Sequence, residues 1–387
     1  MVTSLQEKLS IDKSNWTPVK FGDVVSEPKE NSKDPVAEGV EHVVGLEHIE
    51  SEDIHLRNSA SLESSTTFTK KFAEGDVLFG RRRAYLKKAA QASFSGICSG
   101  DITVFRAKEN LLPELLPFIV NGEKFFDYAV KHSAGGLSPR VKFKDLANYE
   151  FLLPPKGQQA ELGELLWAMD EVIEREREVL SKLEDTYQAK VDSLFSKKLD
   201  GWSFIRLNKI ASVNRNSLNS KTPKNYSFKY LDLASIIEPK IIGDLKTLHF
   251  GEAPSRARRV VENNSSVLAL VRPYQQAFAF VKDATDIIAS TGTAVIKMNE
   301  EHLDRFIFHQ FFSKRFSRYC EDRMTGTNYP AITPQDVNEF KVSIPLNNQV
   351  IHTETEKLDQ LENAMISIRP KIASSQSLQK SLINQVF

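Results

Sequence analysis

Arg81-Arg82-Arg83-Ala84-Tyr85-Leu86-Lys87-Lys88 concentrates cations around one phenol in a single short stretch. A guanidinium can hold a guanine edge through two hydrogen bonds, and lysine ammonium groups and tyrosine hydroxyls suit phosphates. In the second half of the chain Arg272-Pro273-Tyr274-Gln275-Gln276 takes the matching place, and glutamine can pair with an adenine edge as arginine does with guanine. A second stretch accompanies each of these. It reads Ser133-Ala134-Gly135-Gly136-Leu137-Ser138-Pro139-Arg140 in one half and Thr325-Gly326-Thr327-Asn328-Tyr329-Pro330 in the other. Small residues let a backbone approach phosphate or base closely, and hydroxyls supply donors; the plainer reading is a turn whose glycine takes a positive φ. Arg256, Arg258 and Arg259 form a further basic knot, read equally well as solvated charge or as a nucleic-acid contact.

Catalytic constellations are missing. The chain has no phosphate-binding GxxxxGK[ST] loop, no GxGxxG after a strand, no HExxH and no GxSxG. Asn328-Tyr329-Pro330 is only a fragment of the tetrapeptide with which amino-methyltransferases hold a flipped base. The eight histidines are scattered, and His42 and His48 lack a third ligand. Glu354-Thr355-Glu356-Lys357 sits at a helix start, where acidic residues favour the dipole. We expect no metal, no cofactor and no catalysis. The two cysteines, Cys98 and Cys320, lie far apart, which fits a reducing cytoplasm, and neither a secretion signal nor a membrane span is expected.

The elements that must carry these stretches are duplicated. Trp16-Thr-Pro-Val-Lys-Phe recurs as Trp202-Ser-Phe-Ile-Arg-Leu, and Val44-Gly-Leu-Glu-His-Ile as Leu231-Asp-Leu-Ala-Ser-Ile. From Cys98 and Ala289 onward the register is constant, pairing Gly135 with Gly326, Pro139 with Pro330 and Pro154 with Pro345. Between and after the copies run two long segments. In 157–198 the apolar residues Leu162, Leu166, Met169, Ile173, Leu180, Leu183, Tyr187 and Leu194 alternate steps of four and three, broken by Glu176 and Lys190. That is a coiled-coil seam on a helix roughly 60 Å long. Leu358, Leu361, Met365, Ile368, Ile372, Leu382 and Val386 repeat the rhythm. Pro370 lacks the N–H that an inner turn needs, so a kink or break is expected near 366–369. Short apolar runs predict strands, and 111–130 and 301–318 predict helices.

The resulting fold class is α+β, with two similar domains alternating with two long helices. The helices pair as an antiparallel coiled coil, pseudo-twofold within one chain. The expected divisions are 1–156, 157–200, 201–346 and 347–387. Net charge is zero, so any nucleic-acid surface must come from local clustering.

This plan resembles the DNA-specificity subunit of Type I restriction-modification systems. The residues that carry the likeness are Gly75-Asp-Val-Leu-Phe-Gly-Arg, Gly135, Val141, and Phe151-Leu-Leu-Pro154-Pro155 leading to Gln158-Gln159. In the second half they are Thr325-Gly326-Thr327, Ile332, Val342-Ser-Ile-Pro345 and Gln349. Ser265-Ser266 replaces Gly75-Asp76, and Pro370 interrupts the second helix. The resemblance implies that each globule reads one half of a bipartite site on double-stranded DNA. It further implies that the helices set the spacing and dock two methyltransferase subunits, and that restriction subunits join the complex. The competing readings are a scaffold whose globules bind protein, and an orphan nuclease or methyltransferase.

Overall fold

The structure, a computed structural model, describes residues 11–62, 66–196, 199–237, 240–241 and 244–387. Residues 197 and 198 of the first expected helix, and 1–10 of the first expected domain, lie outside the described residues. The chain forms two units: residues up to Arg177 with Pro370–Phe387, and Glu178–Arg369. Each unit holds one globule and a stretch of both long helices.

In the first unit β1 (Thr17–Lys20) pairs antiparallel with β2 (Glu150–Leu153). One four-stranded sheet has the order Val25–Ser26, Ile102–Ala107, Val77–Gly80, Ala89–Gln91, and a second runs Ala60–Ser61, His42–Val44, Gly96–Cys98, Lys70–Phe72. Val77–Gly80 is buried throughout, which is why its residues form a continuous apolar run rather than an alternation. The 111–130 helix is interrupted. A single turn and a short helix lead to Gly122, which is extended at φ −66 and ψ 144, and α1 (Glu123–Lys131) then starts afresh. Its Phe125, Phe126 and Ala129 are buried on one face.

The second unit repeats these pairings and adds a two-stranded ladder of Ile236–Ile237 with Lys240–Ile241. β3 (Trp202–Arg206) pairs with β4 (Lys341–Pro345). The two sheets run Ala211–Val213, Thr293–Met298, Ser265–Ala269, Phe278–Val281 and Lys246–His249, Ser227–Leu231, Ile287–Ser290, Ala257–Val260. The helix expected at 301–318 also splits, because Ser313 adopts an extended cap conformation and its hydroxyl accepts from the Phe316 N–H. That cap starts α3 (Lys314–Glu321).

The long helices are α2 (Lys156–Phe195) and α4 (Asn348–Val386). Of the kink or break expected near 366–369, the break is absent: α4 runs continuously through Pro370. Pro370 is exposed while Met365 on one side and Ile372 on the other are buried, so packing holds the helix across the missing hydrogen bond. Within each unit a stretch of α2 and a stretch of α4 share one core. Leu166, Ile173 and Leu382 are buried in the first unit, and Tyr187, Leu194, Leu358 and Met365 in the second; Leu162, Met169, Leu180, Leu183, Leu361 and Ile368 are half-buried. The seam does more than face another helix. Leu166, Leu382, Val386 and Phe387 belong to the same cluster as Phe79, Phe105, Phe118 and Phe125 of the globule. At about 2 kcal/mol for each fully buried large apolar side chain, the helices are welded to the globules. No helix among the described residues is long and apolar enough to cross a membrane.

Candidate nucleic-acid interface

The two basic or amide-rich stretches fold alike. Each leaves the central strand of its sheet and makes one tight turn, Ala84–Leu86 or Pro273–Gln275. That turn is flanked by left-handed residues, Arg83 (φ 54) and Lys87 (φ 49) in one unit and Arg272 (φ 49) and Gln276 (φ 50) in the other. A left-handed non-glycine residue costs about 1 kcal/mol or more, and strain of this kind clusters at functional positions. The same strained pair recurs in both copies, with arginine at the first position of each and Lys87 against Gln276 at the second.

The second stretch of each unit is bonded to the first. The Arg83 N–H donates to the Pro139 carbonyl at 2.8 Å, and the Arg272 N–H to that of Pro330 at 2.7 Å. Gly135 (φ 118) and Gly326 (φ 95) make the turns possible. The bridges Arg82 to Arg140 and Val271 to Ala331 show that Arg83, rather than Arg82, is the counterpart of Arg272.

This geometry sorts the candidate residues. In the first unit Arg82 donates to Asp101 at 3.3 Å and to the Ser138 hydroxyl at 3.1 Å, and Arg140 donates to Asp101 at 2.7 Å. The Arg140 hydrogen bond is the main reason why the Asp101 carboxyl lies below its usual range. Arg81 donates to the Val141 carbonyl, Lys88 to that of Leu46, and Lys87 pairs with Glu52. Ser133 bonds to the Ala129 carbonyl. These side chains hold the loops. Arg83 is exposed with its guanidinium unpaired, and Tyr85 is 54% exposed beside it, while Gly136 sits in the exposed tip of the second loop.

In the second unit Arg272 stacks over the Tyr329 ring at 5.0 Å and donates to the Asn328 carbonyl. Gly292 stands in register with Asp101, so a cation–π stack replaces the ionic lock. Tyr274 and Gln275 are exposed, as are Thr325, Thr327, Asn328 and Tyr329, and Gln276 reaches the Ser317 hydroxyl at 3.4 Å. The knot at Arg256–Arg259 lies on an edge strand of the other sheet. There Arg258 stacks on Phe250, Arg259 donates to Ser217 and Arg256 alone is exposed.

Sequence reasoning missed the joints that fix each globule to its helices. At the start of α2, Gln159 is buried; its amide oxygen accepts from the Leu112 N–H and its amide nitrogen donates to the Asn110 and Pro154 carbonyls. At the far ends the two units match residue for residue. The Asn384 side chain accepts from the Glu123 N–H and Lys124 donates to the Phe387 carbonyl; the Asp192 side chain accepts from the Lys314 N–H and Arg315 donates to the Phe195 carbonyl. A cation thus caps the C-terminus of each long helix.

Each unit also has one buried polar layer on its helices. In the first, Asp170 accepts from His55 at 2.6 Å, and Arg57 and Arg177 pair with Asp53 and Glu174. In the second, His309 bridges the Tyr187 hydroxyl at 2.8 Å and Asp359 at 2.9 Å, while Arg305 pairs with Asp359 and Glu362. Both groupings contain ligand-type atoms, but Glu174 is already paired with Arg57 and Arg177, Asp359 and Glu362 with Arg305, and Asp170 with His55. The hydrogen bond to Asp170 holds His55 above its ordinary pKa, whereas burial pushes His309 below. The His55 contribution to stability is therefore complete below about pH 6.5 and is lost as pH rises through the elevated value. Between pH 6 and pH 9 the melting temperature of the wild-type chain should fall by roughly 2 °C more than that of H55Q; parallel curves in calorimetry would contradict this.

A family model described as Type I restriction modification DNA specificity domain matches residues 13–185. The Type I restriction enzyme EcoDI specificity subunit of Escherichia coli is 27% identical over 168 residues, which are 42% of this chain and 37% of that protein. Two solved structures share the fold along nearly the whole chain. One, from work on complex assembly and conformational transition of the type I R-M system, is 19% identical with a TM-score of 0.54, covering 96% of both chains. The other is a Type-I restriction-modification system S subunit from M. genitalium, 14% identical with a TM-score of 0.60, covering 99% of this chain and 98% of that one. Residues 13–185 therefore match the Type I restriction modification DNA specificity domain model, and the fold shared with the two solved structures extends over both units.

Proposed function

We propose that this chain is the non-catalytic DNA-specificity subunit of a Type I restriction-modification complex. Each globule reads one half of a bipartite, non-palindromic target on double-stranded DNA. The observation that carries this reading is the duplicated loop pair, in which one strained backbone displays Arg83 and Tyr85 in one unit and Arg272, Tyr274 and Gln275 in the other. On this shared scaffold Arg83 and Tyr85 match Arg272 and Tyr274, whereas Leu86 and Lys87 stand against Gln275 and Gln276, and that difference suits two readers of different sequences. The working division is 1–156 and 201–346 for the readers and 157–200 and 347–387 for the spacer helices. Those helices set the distance between half-sites and dock two methyltransferase subunits, to which restriction subunits add, in the cytoplasm.

Binding experiments separate this from a scaffold that grips protein. DNA affinity of the assembled complex should fall linearly on a log–log plot as salt rises, through counterion release. A duplex carrying the target should compete at least about a thousandfold better than random duplex. No DNA binding at low salt would sink the reading.

A further inference from the structure

β3 and β4 place Arg206 directly opposite Lys341. Like charges across a ladder repel, and the first unit avoids this by setting Lys20 opposite Glu150 in the same register. The second unit adds more cations at the same spot. Arg315 of α3 lies between the rings of Phe204 and Phe340 and donates to the Lys341 carbonyl at 2.6 Å. Arg323, just past the end of α3, stacks on Tyr319 at 3.7 Å. Together Arg206, Arg315, Arg323 and Lys341 line a concavity of about 340 Å³, with Glu339 as its one carboxylate. Glu339 is engaged by Gln335, and Asp336 stands 3.9 Å from Arg323. The side chains of Arg206 and Lys341 are exposed and have no partner among the described residues.

Resting on the function proposed above, we infer that this concavity is a phosphate site for the DNA backbone beside the half-site read by the second unit. A repulsive cross-strand pair is a standing cost that a bound anion removes. The site is also continuous with the reading loops. Arg323 leads through Met324 directly into Thr325-Gly326-Thr327, and Ser317 on α3 accepts from Gln276. The first unit has Lys20, Lys124, His132 and Glu150 at the corresponding places. Its charge there is mixed, so the contact belongs to one half of the complex.

The substitution K341E gives the second unit the cross-strand pairing of the first. The full chain is titrated with a mixed-sequence 40-base-pair duplex over a salt series, and its melting temperature is recorded. The salt slope should shrink by about 1, with roughly eightfold weaker binding at 0.1 M salt. The melting temperature should stay level or rise, because Arg206 gains an opposite charge. An unchanged slope with wild-type affinity would overturn the phosphate site and leave the specificity reading intact. If 10 mM inorganic phosphate raised the wild-type melting temperature while K341E left the DNA slope unaltered, the site would serve a free anion, and the DNA assignment would fall. A K341E defect confined to binding of a methyltransferase subunit would also overturn it, in favour of an acidic protein contact. Absence of any DNA binding by the wild-type chain would instead remove the underlying reading.

Discussion

Arg272→Ala should relax base preference in one half of the target and leave the other half unchanged, and Arg83→Ala should do the same to the opposite half. Each loss is expected at roughly tenfold to hundredfold in affinity for the cognate duplex, the scale of one bidentate base contact. The two residues share a left-handed backbone and the same hydrogen bond to the second loop. Arg82→Ala should behave differently. It removes the grip on Asp101 and Ser138, so it should slacken the loop and weaken binding without redefining the preferred base. Measuring affinities against duplexes altered base by base in each half distinguishes the cases. Equal loss in both halves from either Arg83→Ala or Arg272→Ala would show that the residue is structural.

The second large effect is expected at the joint. Arg315→Ala would strip the Phe195 and Lys341 carbonyls of their donor and empty the space between Phe204 and Phe340. The lost donor to the half-buried Phe195 carbonyl and the lost packing together should cost about 2 kcal/mol. The guanidinium is buried enough for its pKa to be pushed down to about 10, yet it stays charged at neutral pH. Arg315→Lys should recover a good part of the stability, because Lys124 makes the equivalent bond to Phe387 at 2.8 Å. Denaturant melts of the three proteins test this order, and equal stability of wild type and Arg315→Ala would refute the joint.

Much of this architecture can be read from residue patterns, and the exceptions have physical causes. The duplication is visible because both copies keep the residues that seat strands, such as Trp16 and Trp202 or Pro154 and Pro345. The long helices announce themselves by the spacing of Leu166, Ile173, Leu358 and Met365, all of which are buried. Their ends and joints do not. Gly122 and Ser313 break helices that apolar periodicity extends straight through, since a single cap can reset the backbone without disturbing the pattern. Pro370 was expected to kink or break α4, and the helix continues through it because flanking packing outweighs one missing hydrogen bond.

The candidate site divides in the same way. The clusters of Arg81–Lys88 and Arg272–Gln276 fall in paired loops, but composition alone cannot say which arginine faces outward. Arg81 and Arg82 turn back because acceptors wait for them at the Val141 carbonyl, the Ser138 hydroxyl and the Asp101 carboxylate. Arg83 points away because its left-handed backbone follows from the turn. Gln159, Arg315 and the layer around Asp170 and Glu362 make their contacts with residues remote in the chain. Nothing local marks them, although the match of Asn384 to Asp192 and of Lys124 to Arg315 emerges once the repeat is carried into the helices.

The most direct test of two readers on one chain is to assemble the protein with its cognate methyltransferase subunits and map the methylated bases on genomic DNA. The account predicts one split motif, two unrelated short half-sites separated by a fixed gap of unread bases. A continuous motif, a palindrome or an absence of sequence preference would contradict it.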